Sequence, residues 1–196
     1  AATIGNANDT IILGAYNGTG YTCTNGVNDT PQYASNSLIG SLDEVKIYNY
    51  ARTQKQILQD MNAGNPMSQK TPIVWYKFDE GQGTIANNSG SIGSTLNGTF
   101  GSGTSAPTWI TGKNNKGLSF DGNDYIRLPN TRDIDPKTND YTWSGWLKFG
   151  GYTGTNRQIY MANAAGADYG LGFILDSSSN RIRFEVNGTS GGRQHS

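Results

Sequence analysis

The chain has 196 residues, with 15 basic and 15 acidic side chains and a formal net charge of zero. This balance offers no basic face to a phosphate backbone or an anionic lipid surface, so the sequence predicts no nucleic-acid partner. No apolar run reaches the roughly 18 residues that span a bilayer, so we predict no membrane insertion and expect a soluble piece, mature or cut from a longer protein.

Turn-forming residues are frequent along the whole chain. There are 27 glycines, and Asn-Gly pairs begin at positions 17, 25, 97 and 187. Both residues tolerate positive φ, so these pairs favour tight turns between strands. Many turns predict many strands, and 196 residues can bury one sizeable core. The composition therefore predicts an all-β domain.

Two apolar segments in the first third predict strands. The first is Thr10–Gly14, and the second runs from Leu38 to Tyr48. Strict alternation in the second segment predicts that Leu42 and Lys46 face one way while Val45 and Ile47 face the other. Neither face is then cleanly apolar, which is typical of a strand lying between a core and partial outer cover.

A short helix is predicted directly after this strand. Thr53 and Gln56 have the spacing of a capping box, in which the hydroxyl and the glutamine side chain each bond to the other's backbone amide. Ile57, Leu58 and Met61 follow as one apolar stripe. Because the helix is short, we expect tertiary packing to hold it.

Residues 63–72 are predicted to form a linker, because a glycine and two prolines disfavour both helix and sheet. The sequence then predicts a long loop over residues 84–107. Further strands are predicted at Ile73–Phe78, Leu118–Phe120, Tyr125–Leu128, Tyr141–Phe149, Gln158–Met161, Tyr169–Leu175 and Ile182–Val186.

Several of these segments resemble motifs of one family. The segment Gly40–Arg52 resembles the family's closing strand, and Trp75–Gly81 resembles its opening strand. Further resemblances are Lys116–Pro129, Tyr141–Phe149 and Arg181–Val186. The family is the concanavalin A-like, laminin G-like jelly roll, and the resemblance covers most of residues 36–62 and 74–186. It implies an antiparallel jelly-roll β-sandwich with one short helix.

The order of these motifs is unusual, because the closing motif precedes the opening one. The family's central Trp-His-His strand has no counterpart, since the only histidine is His195. The resemblance implies that residues 1–62 are the C-terminal half of a sandwich and residues 73–196 the N-terminal half. Two arrangements stay open: one permuted sandwich, or halves that a neighbouring chain completes. A permuted sandwich requires the strand around Val45 to pair with the strand around Tyr76.

Catalytic signals are weak, and the sequence predicts no enzyme and no catalytic residue. A retaining glycosidase needs two carboxylates about 5 Å apart on one side of a cleft. The pairs Asp43-Glu44 and Asp79-Glu80 are adjacent along the chain and point to opposite faces. One histidine and one cysteine, Cys23, leave little material for a nucleophilic triad.

One oxygen-rich turn, from Asp121 to Asp124, is a candidate calcium site. Ca²⁺ prefers carboxylate and carbonyl oxygens, and the family resemblance implies a structural Ca²⁺ where such a turn meets the opening and closing strands. That placement would recruit Asp79 and Asp43. The alternative is a turn that Asp121 and Asp124 cap through their own side chains, with no ion.

Aromatic side chains in turn-rich segments are candidates for carbohydrate binding, because an aromatic face buries the apolar face of a sugar ring. The alternative for each is a half-buried position in a sheet. Trp143 and Trp146 are three residues apart on one strand, so we expect one in the core and the other outside it. The candidate sugar-binding residues are Tyr16, Tyr21, Tyr33, Tyr152, Tyr160 and Tyr169.

The resemblance implies a non-catalytic adhesion or carbohydrate-recognition module, located outside the cell or on its surface, with a glycan or a surface protein as its partner. A second interpretation is a structural subunit of an extracellular fibre, in which identical neighbouring subunits exchange half-domains or strands. A third is an accessory domain of a polysaccharide-degrading enzyme.

Overall fold

A computed structural model describes residues 11–14, 37–61, 71–129, 134, 140–151, 157–163, 170–176, 181–187 and 193–195. One α-helix, α1 (Gln54–Met61), lies in this part of the chain, together with short 3₁₀ turns at Gly93–Leu96 and Gly103–Ser105. The strands are β1 (Ile11–Leu13), β2 (Ile39–Tyr48), β3 (Val74–Tyr76), β4 (Ile85–Ala86), β5 (Gly98–Phe100), β6 (Thr108–Thr111), β7 (Lys116–Asp121), β8 (Ile126–Leu128), β9 (Thr142–Phe149), β10 (Arg157–Asn163), β11 (Gly170–Asp176), β12 (Arg181–Asn187) and β13 (Arg193–His195).

The strands form two antiparallel sheets. The larger has eight strands in the order β13-β12-β11-β10-β1-β8-β5-β4, and the smaller has five. In the smaller sheet, β9 runs along one edge of β2. The opposite edge of β2 is shared by β7, which pairs with residues 39–42, and by β3, which pairs with residues 45–47. β6 adds to the far side of β7. The fold is all-β, as the composition predicts.

The predicted pairing of the closing and opening strands is present within the chain. Val45 on β2 lies opposite Tyr76 on β3, and Lys46 lies opposite Trp75. The predicted division into halves 1–62 and 73–196 stays a prediction, and of the linker 63–72 only Thr71 and Pro72 fall among the described residues.

The face assignment predicted for β2 is wrong beyond its midpoint. The register against β9 shifts between Asp43 and Lys46, and Glu44 has a left-handed backbone with φ 52°. Such a bulge adds one residue to the strand and reverses the side to which later side chains point. Leu42, Val45 and Ile47 are consequently all fully buried in one core, whereas strict alternation would have placed Leu42 opposite the other two.

Both sheets contribute to a single apolar core. Leu13, Ile126 and Leu128 come from the larger sheet, while Leu42 and Phe120 come from the smaller one. Burial of these side chains is the main favourable contribution to folding. The two sheets therefore pack face to face as a sandwich.

Residues 84–107 are not the long loop that their low apolar content predicts. β5 lies between β4 and β8 in the larger sheet, and Leu96 and Phe100 reach the core. The Asn88 side chain organises the segment: its Oδ1 accepts from the Trp75 and Gly90 N–H groups, and its Nδ2 donates to the Gly93 carbonyl. The prediction failed because these strands are two or three residues long and are held by tertiary contacts.

The capping box of α1 is confirmed. The Thr53 N–H donates to Gln56 Oε1 at 2.8 Å, and the Gln56 N–H donates to Thr53 Oγ1 at 3.4 Å. The apolar stripe, however, faces solvent, since Ile57, Leu58 and Met61 are 44%, 52% and 53% exposed. A polar contact between Arg52 and Asp60 at 2.6 Å joins the helix to the segment before it.

Candidate functional site

The turn from Asp121 to Asp124, here called the acidic turn, connects β7 to β8. The Asp121 N–H donates to Asp124 Oδ2 at 2.9 Å, and the Asn123 N–H donates to Asp121 Oδ1 at 3.3 Å. Gly122, with φ 113°, supplies a backbone conformation that other residues rarely adopt. These hydrogen bonds are the ones expected from the alternative prediction, in which the side chains of Asp121 and Asp124 cap the turn without an ion.

The carboxyl group of Asp124 is buried, at 3% exposed. Its Oδ1 atom and the Oδ1 atom of Asn123 have no hydrogen-bond partner among the described residues. Burial raises the pKa of Asp124 to about 6, the negative charge of Asp121 adds to the rise, and the Asp121 N–H opposes it. A proton or a bound cation at this carboxyl would relieve the cost of a buried negative charge.

The other two predicted calcium ligands lie elsewhere. Asp43 Oδ2 accepts from the Asn114 N–H at 2.9 Å, and Asp79 Oδ1 accepts from the Lys116 N–H at 3.2 Å. Both bonds hold the hairpin loop between β6 and β7, at the opposite end of β7 from the acidic turn. The two ends of β7, Lys116 and Asp121, are five residue steps apart, which is roughly 16 Å, so the four predicted aspartates do not surround one point. Among the described residues, no group of three or more His, Cys, Asp or Glu side chains could hold a metal.

The outer face of the smaller sheet carries two tryptophans that are not among the candidate binding residues predicted from the sequence. Trp75 lies on β3 beside Lys46, and Trp146 lies on β9 opposite Asp43. Both rings are half-buried. We call the two tryptophans and the four lysines around them the outer-sheet strip, which consists of Trp75, Trp146, Lys46, Lys77, Lys113 and Lys148.

Lysine ammonium groups lie close to both rings of the outer-sheet strip. Lys46 Nζ and Lys77 Nζ are 4.7 Å and 4.5 Å from the Trp75 ring centroid. Lys113 Nζ is 4.9 Å from the Trp146 ring centroid. These distances are within the range of cation–π attraction.

The Trp75 ring is also held by a hydrogen bond. Its Nε1 donates to Glu44 Oε2 at 2.7 Å, and Glu44 is the left-handed residue of the β2 bulge. A bulge changes the direction in which side chains point. Here the Glu44 carboxylate in the bulge of β2 accepts the hydrogen bond from Trp75 on β3. The strip could have been found from the alternation Ser144, Trp146, Lys148, given that Trp143 and Leu147 pack against the core.

Comparison with known proteins gives one family match. The model described as the concanavalin A-like lectin/glucanases superfamily, of laminin G type, matches residues 120–196. Residues 120–196 are laminin G-like. The matched part includes the acidic turn and β9 with Trp146. No curated protein and no solved structure gives a significant match.

Laminin G-like domains typically occur in extracellular proteins and are generally non-catalytic, although the superfamily includes glucanases. None of the helices among the described residues is long and apolar enough to cross a membrane. The predicted resemblance of Gly40–Arg52 and Trp75–Gly81 to the family lies outside the matched residues and stays a prediction.

The predicted sugar-binding tyrosines fall almost entirely outside the described residues, and their role stays a prediction. Only the backbone of Tyr160 is placed, in β10, opposite Leu13 and Phe173. The other five candidate tyrosines lie outside the described residues and are Tyr16, Tyr21, Tyr33, Tyr152 and Tyr169. Trp143 and Trp146 do face opposite sides of β9, as predicted.

We expect Asp124→Asn to stabilise the protein at neutral pH in the absence of metal. The asparagine keeps an oxygen that accepts the Asp121 N–H but carries no charge. Because the folded-state pKa of about 6 exceeds the ordinary 3.8, the native state of the wild type binds the proton more tightly. The stability that this tighter proton binding gives the wild type is complete below pH 3.8, and it is lost as the pH rises through the folded-state pKa of about 6.

Urea unfolding of both proteins between pH 4 and pH 8 measures this difference. The variant should match the wild type at the acid end and exceed it by about 2–3 kcal/mol above pH 6.5. A free-energy difference that does not change with pH would contradict this account of Asp124.

Proposed function

We propose that the chain is a non-catalytic adhesion or carbohydrate-recognition module of an extracellular surface protein. The observation that carries the proposal is the position of Trp146, half-buried on the outer face of a laminin G-like sandwich. The Trp146 ring lies outside the core, on a strand that pairs with β2, and would stack on a sugar ring if the Lys113 ammonium, now 4.9 Å from its centroid, moves aside. Rigid scaffolds that present such groups are typical of recognition modules.

The pairing around β2 favours a self-contained sandwich over a fibre subunit. β2 comes from the first third of the chain, yet its neighbours β3, β7 and β9 all come from the same chain's later residues. This arrangement supports a permuted single sandwich, in which exchange with identical neighbouring subunits is not needed to complete the smaller sheet.

A catalytic role finds little support at the two carboxyl groups of the acidic turn. Asp121 and Asp124 lie together in the acidic turn, and Asp124 has the raised pKa of a general acid. At 3% exposed, however, its carboxyl group does not reach a bound sugar chain. Release of reducing sugar from a polysaccharide would contradict the non-catalytic proposal and favour the accessory-domain or enzyme interpretation.

The proposal includes a structural Ca²⁺ at the acidic turn, where Asn123 and Asp124 would supply two of the oxygen ligands that the ion takes. The unpartnered Oδ1 atoms of Asn123 and Asp124 are hard oxygen ligands of the kind that Ca²⁺ prefers. Asp43 and Asp79 bind backbone N–H groups of the other loop and would not take part. Millimolar Ca²⁺ should then raise the melting temperature of the wild type and leave that of Asp124→Asn unchanged.

A glycan array tests the recognition function directly. The monomeric protein should bind a subset of glycans, and Trp146→Ala or alanine substitution of the predicted tyrosines should remove those signals. Ile85→Ala, at an exposed apolar position of the larger sheet, is the matched control and should bind as the wild type does. An array with no signal for the folded wild type would contradict carbohydrate recognition.

A further inference from the structure

We propose that Asp43 is a latch operated by its own charge: the protonated carboxyl group holds the loop between β6 and β7 closed over Trp146, and the ionised carboxylate favours release of that loop. The loop, here called the hairpin loop, consists of residues 112–115. This inference rests on the proposed function for its consequence, because release would carry the Lys113 ammonium away from Trp146 and open the ring to a sugar.

Two aspartates hold the hairpin loop at different points. At its tip, the Asn114 N–H donates to Asp43 Oδ2 at 2.9 Å. At its base, where β7 begins, the Lys116 N–H donates to Asp79 Oδ1 at 3.2 Å, and Asn115 Nδ2 donates to Asp79 Oδ2 at 3.4 Å. Loss of the bond to Asp43 can therefore free the tip of the loop while its base stays attached.

The closed loop encloses the Asp43 carboxyl group. Asp43 is 4% exposed, and a Cβ atom on Gly112 would lie only 2.6 Å from Asp43 Oδ2. The other carboxyl oxygen, Oδ1, has no hydrogen-bond partner among the described residues. A negative charge at this position has lost most of its water and has only part of the hydrogen bonding that would replace it, so ionisation in the closed loop is costly.

The charged groups around Asp43 do not remove this cost. Within the part of the chain that the structure describes, the ion pairs join Lys46 to Glu44 and Arg52 to Asp60, and neither involves Asp43. The Lys113 ammonium lies at the Trp146 ring instead. The charged neighbours of Asp43 are Glu44 and Lys46 on β2, Lys113 in the hairpin loop, Lys116 at the start of β7, Asp79 after β3 and Lys148 on β9.

Burial raises the pKa of Asp43 in the closed loop; the Asn114 and Lys113 backbone N–H groups oppose the rise, and the charge of Glu44 adds to it. Once the loop is released, water reaches the carboxyl group and its pKa returns towards the ordinary 3.8. The closed state therefore binds the proton more tightly. The stability that this binding gives the closed state is complete below pH 3.8 and is lost as the pH rises through the raised, closed-state pKa.

The cover over Trp146 moves with the hairpin loop. Trp146 lies opposite Asp43 across β9 and β2, and Lys113 Nζ is 4.9 Å from the Trp146 ring centroid. Lys113 directly precedes Asn114, so loss of the Asn114 bond to Asp43 frees the backbone that carries the ammonium group. A rise in pH should therefore uncover the ring, and acid should cover it.

Hydrogen exchange of the Asn114 amide tests the latch in the full chain without a ligand. We would measure its protection factor, the ratio of the intrinsic to the observed exchange rate, by NMR between pH 4 and pH 8 in the absence of Ca²⁺. Protection in the wild type should fall as the pH rises. Asp43→Asn stays neutral and can still accept the Asn114 N–H, so its protection should keep the acid value at every pH. Asp124→Asn, which removes another buried carboxyl group, is the matched control and should change with pH as the wild type does.

Acrylamide quenching of tryptophan fluorescence measures the cover over the ring. Quenching of the wild type should increase with pH over the same range, and Trp146→Phe should lose that increase while its other tryptophans are still quenched. Lys113→Ala should be quenched as strongly at pH 4 as at pH 8, because it has no ammonium group over the ring. The pH dependence of Asn114 protection should persist in Lys113→Ala, which separates the latch from the cover.

Three results would overturn the inference: Asn114 protection that is constant or rises with pH, protection that changes equally in Asp43→Asn, or wild-type quenching that does not depend on pH. The wild-type and Lys113→Ala series test the latch even if Asp43→Asn does not fold. An empty glycan array would contradict the proposed function and not the latch, because neither measurement uses a ligand.

Discussion

Phe120→Ala is expected to lower the free energy of unfolding by about 3–5 kcal/mol, measured by urea denaturation. The Phe120 ring is 1% exposed, and it packs directly on the backbone of Gly14 at the end of β1. The approach is so close that a Cβ atom at Gly14 would lie 2.5 Å from the ring. Phe120 therefore fills the space between β7 in the smaller sheet and β1 in the larger one.

Ile85→Ala provides the comparison for Phe120→Ala. Ile85 is also an apolar strand residue but is 41% exposed, so its truncation should cost less than about 1 kcal/mol. Similar unfolding free energies for the two variants would show that the two sheets do not share the core described here.

Arg52→Met should be about as damaging, with an expected loss of roughly 3–5 kcal/mol. The Arg52 and Asp60 side chains are 2% and 9% exposed and meet at 2.6 Å. Arg52 also donates to the Tyr50 hydroxyl and the Gln56 carbonyl, and its guanidinium lies 4.4 Å from the Tyr48 ring centroid. Removal of the cation leaves a buried carboxylate that still accepts a hydrogen bond from the Tyr48 hydroxyl at 3.4 Å.

The double variant Arg52→Met with Asp60→Leu separates lost packing from the unpaired charge. If the charge dominates, replacing both partners by apolar side chains should recover most of the loss. An equally large loss in the double variant, or no loss in Arg52→Met alone, would contradict the buried ion pair as the link between α1 and the segment before it.

The sequence predicted most of the elements and one decisive pairing. Strands with strong apolar alternation, such as Thr142–Phe149 and Arg181–Asn187, were placed within one or two residues. The pairing of Val45 with Tyr76, which the permuted arrangement required, is present. The capping residues of α1 were also predictable, because that signal is local.

Features that depend on neighbouring strands were not predictable. The bulge at Asp43 and Glu44 has no turn residue to mark it, and it reversed the predicted face of Val45. The exposed stripe of α1 was missed because Arg52 and Asp60, eight residues apart, hold the helix in place of apolar packing.

The candidate sites were predictable only in part. The internal bonds of the acidic turn follow from its own sequence. The separation of Asp43 and Asp79 from that turn depends on which loop crosses which strand, and a local sequence pattern does not predict such a crossing. The outer-sheet strip likewise exists only because β3, β2 and β9 are neighbours.

A disulfide between β2 and β7 tests most directly whether early and late residues of one chain form one sandwich. Ser41 and Ser119 are paired across these strands, so cysteines at both positions, in a Cys23→Ser background, lie within disulfide range. Thr108 lies on the far side of Ser119, roughly 10 Å from Ser41 and beyond that range, so cysteines at 41 and 108 are the matched control. The account predicts that oxidation at low protein concentration gives an intrachain disulfide in a monomer for the first pair alone. Disulfide-linked dimers or polymers from the 41–119 pair, or thiols that stay reduced, would contradict it.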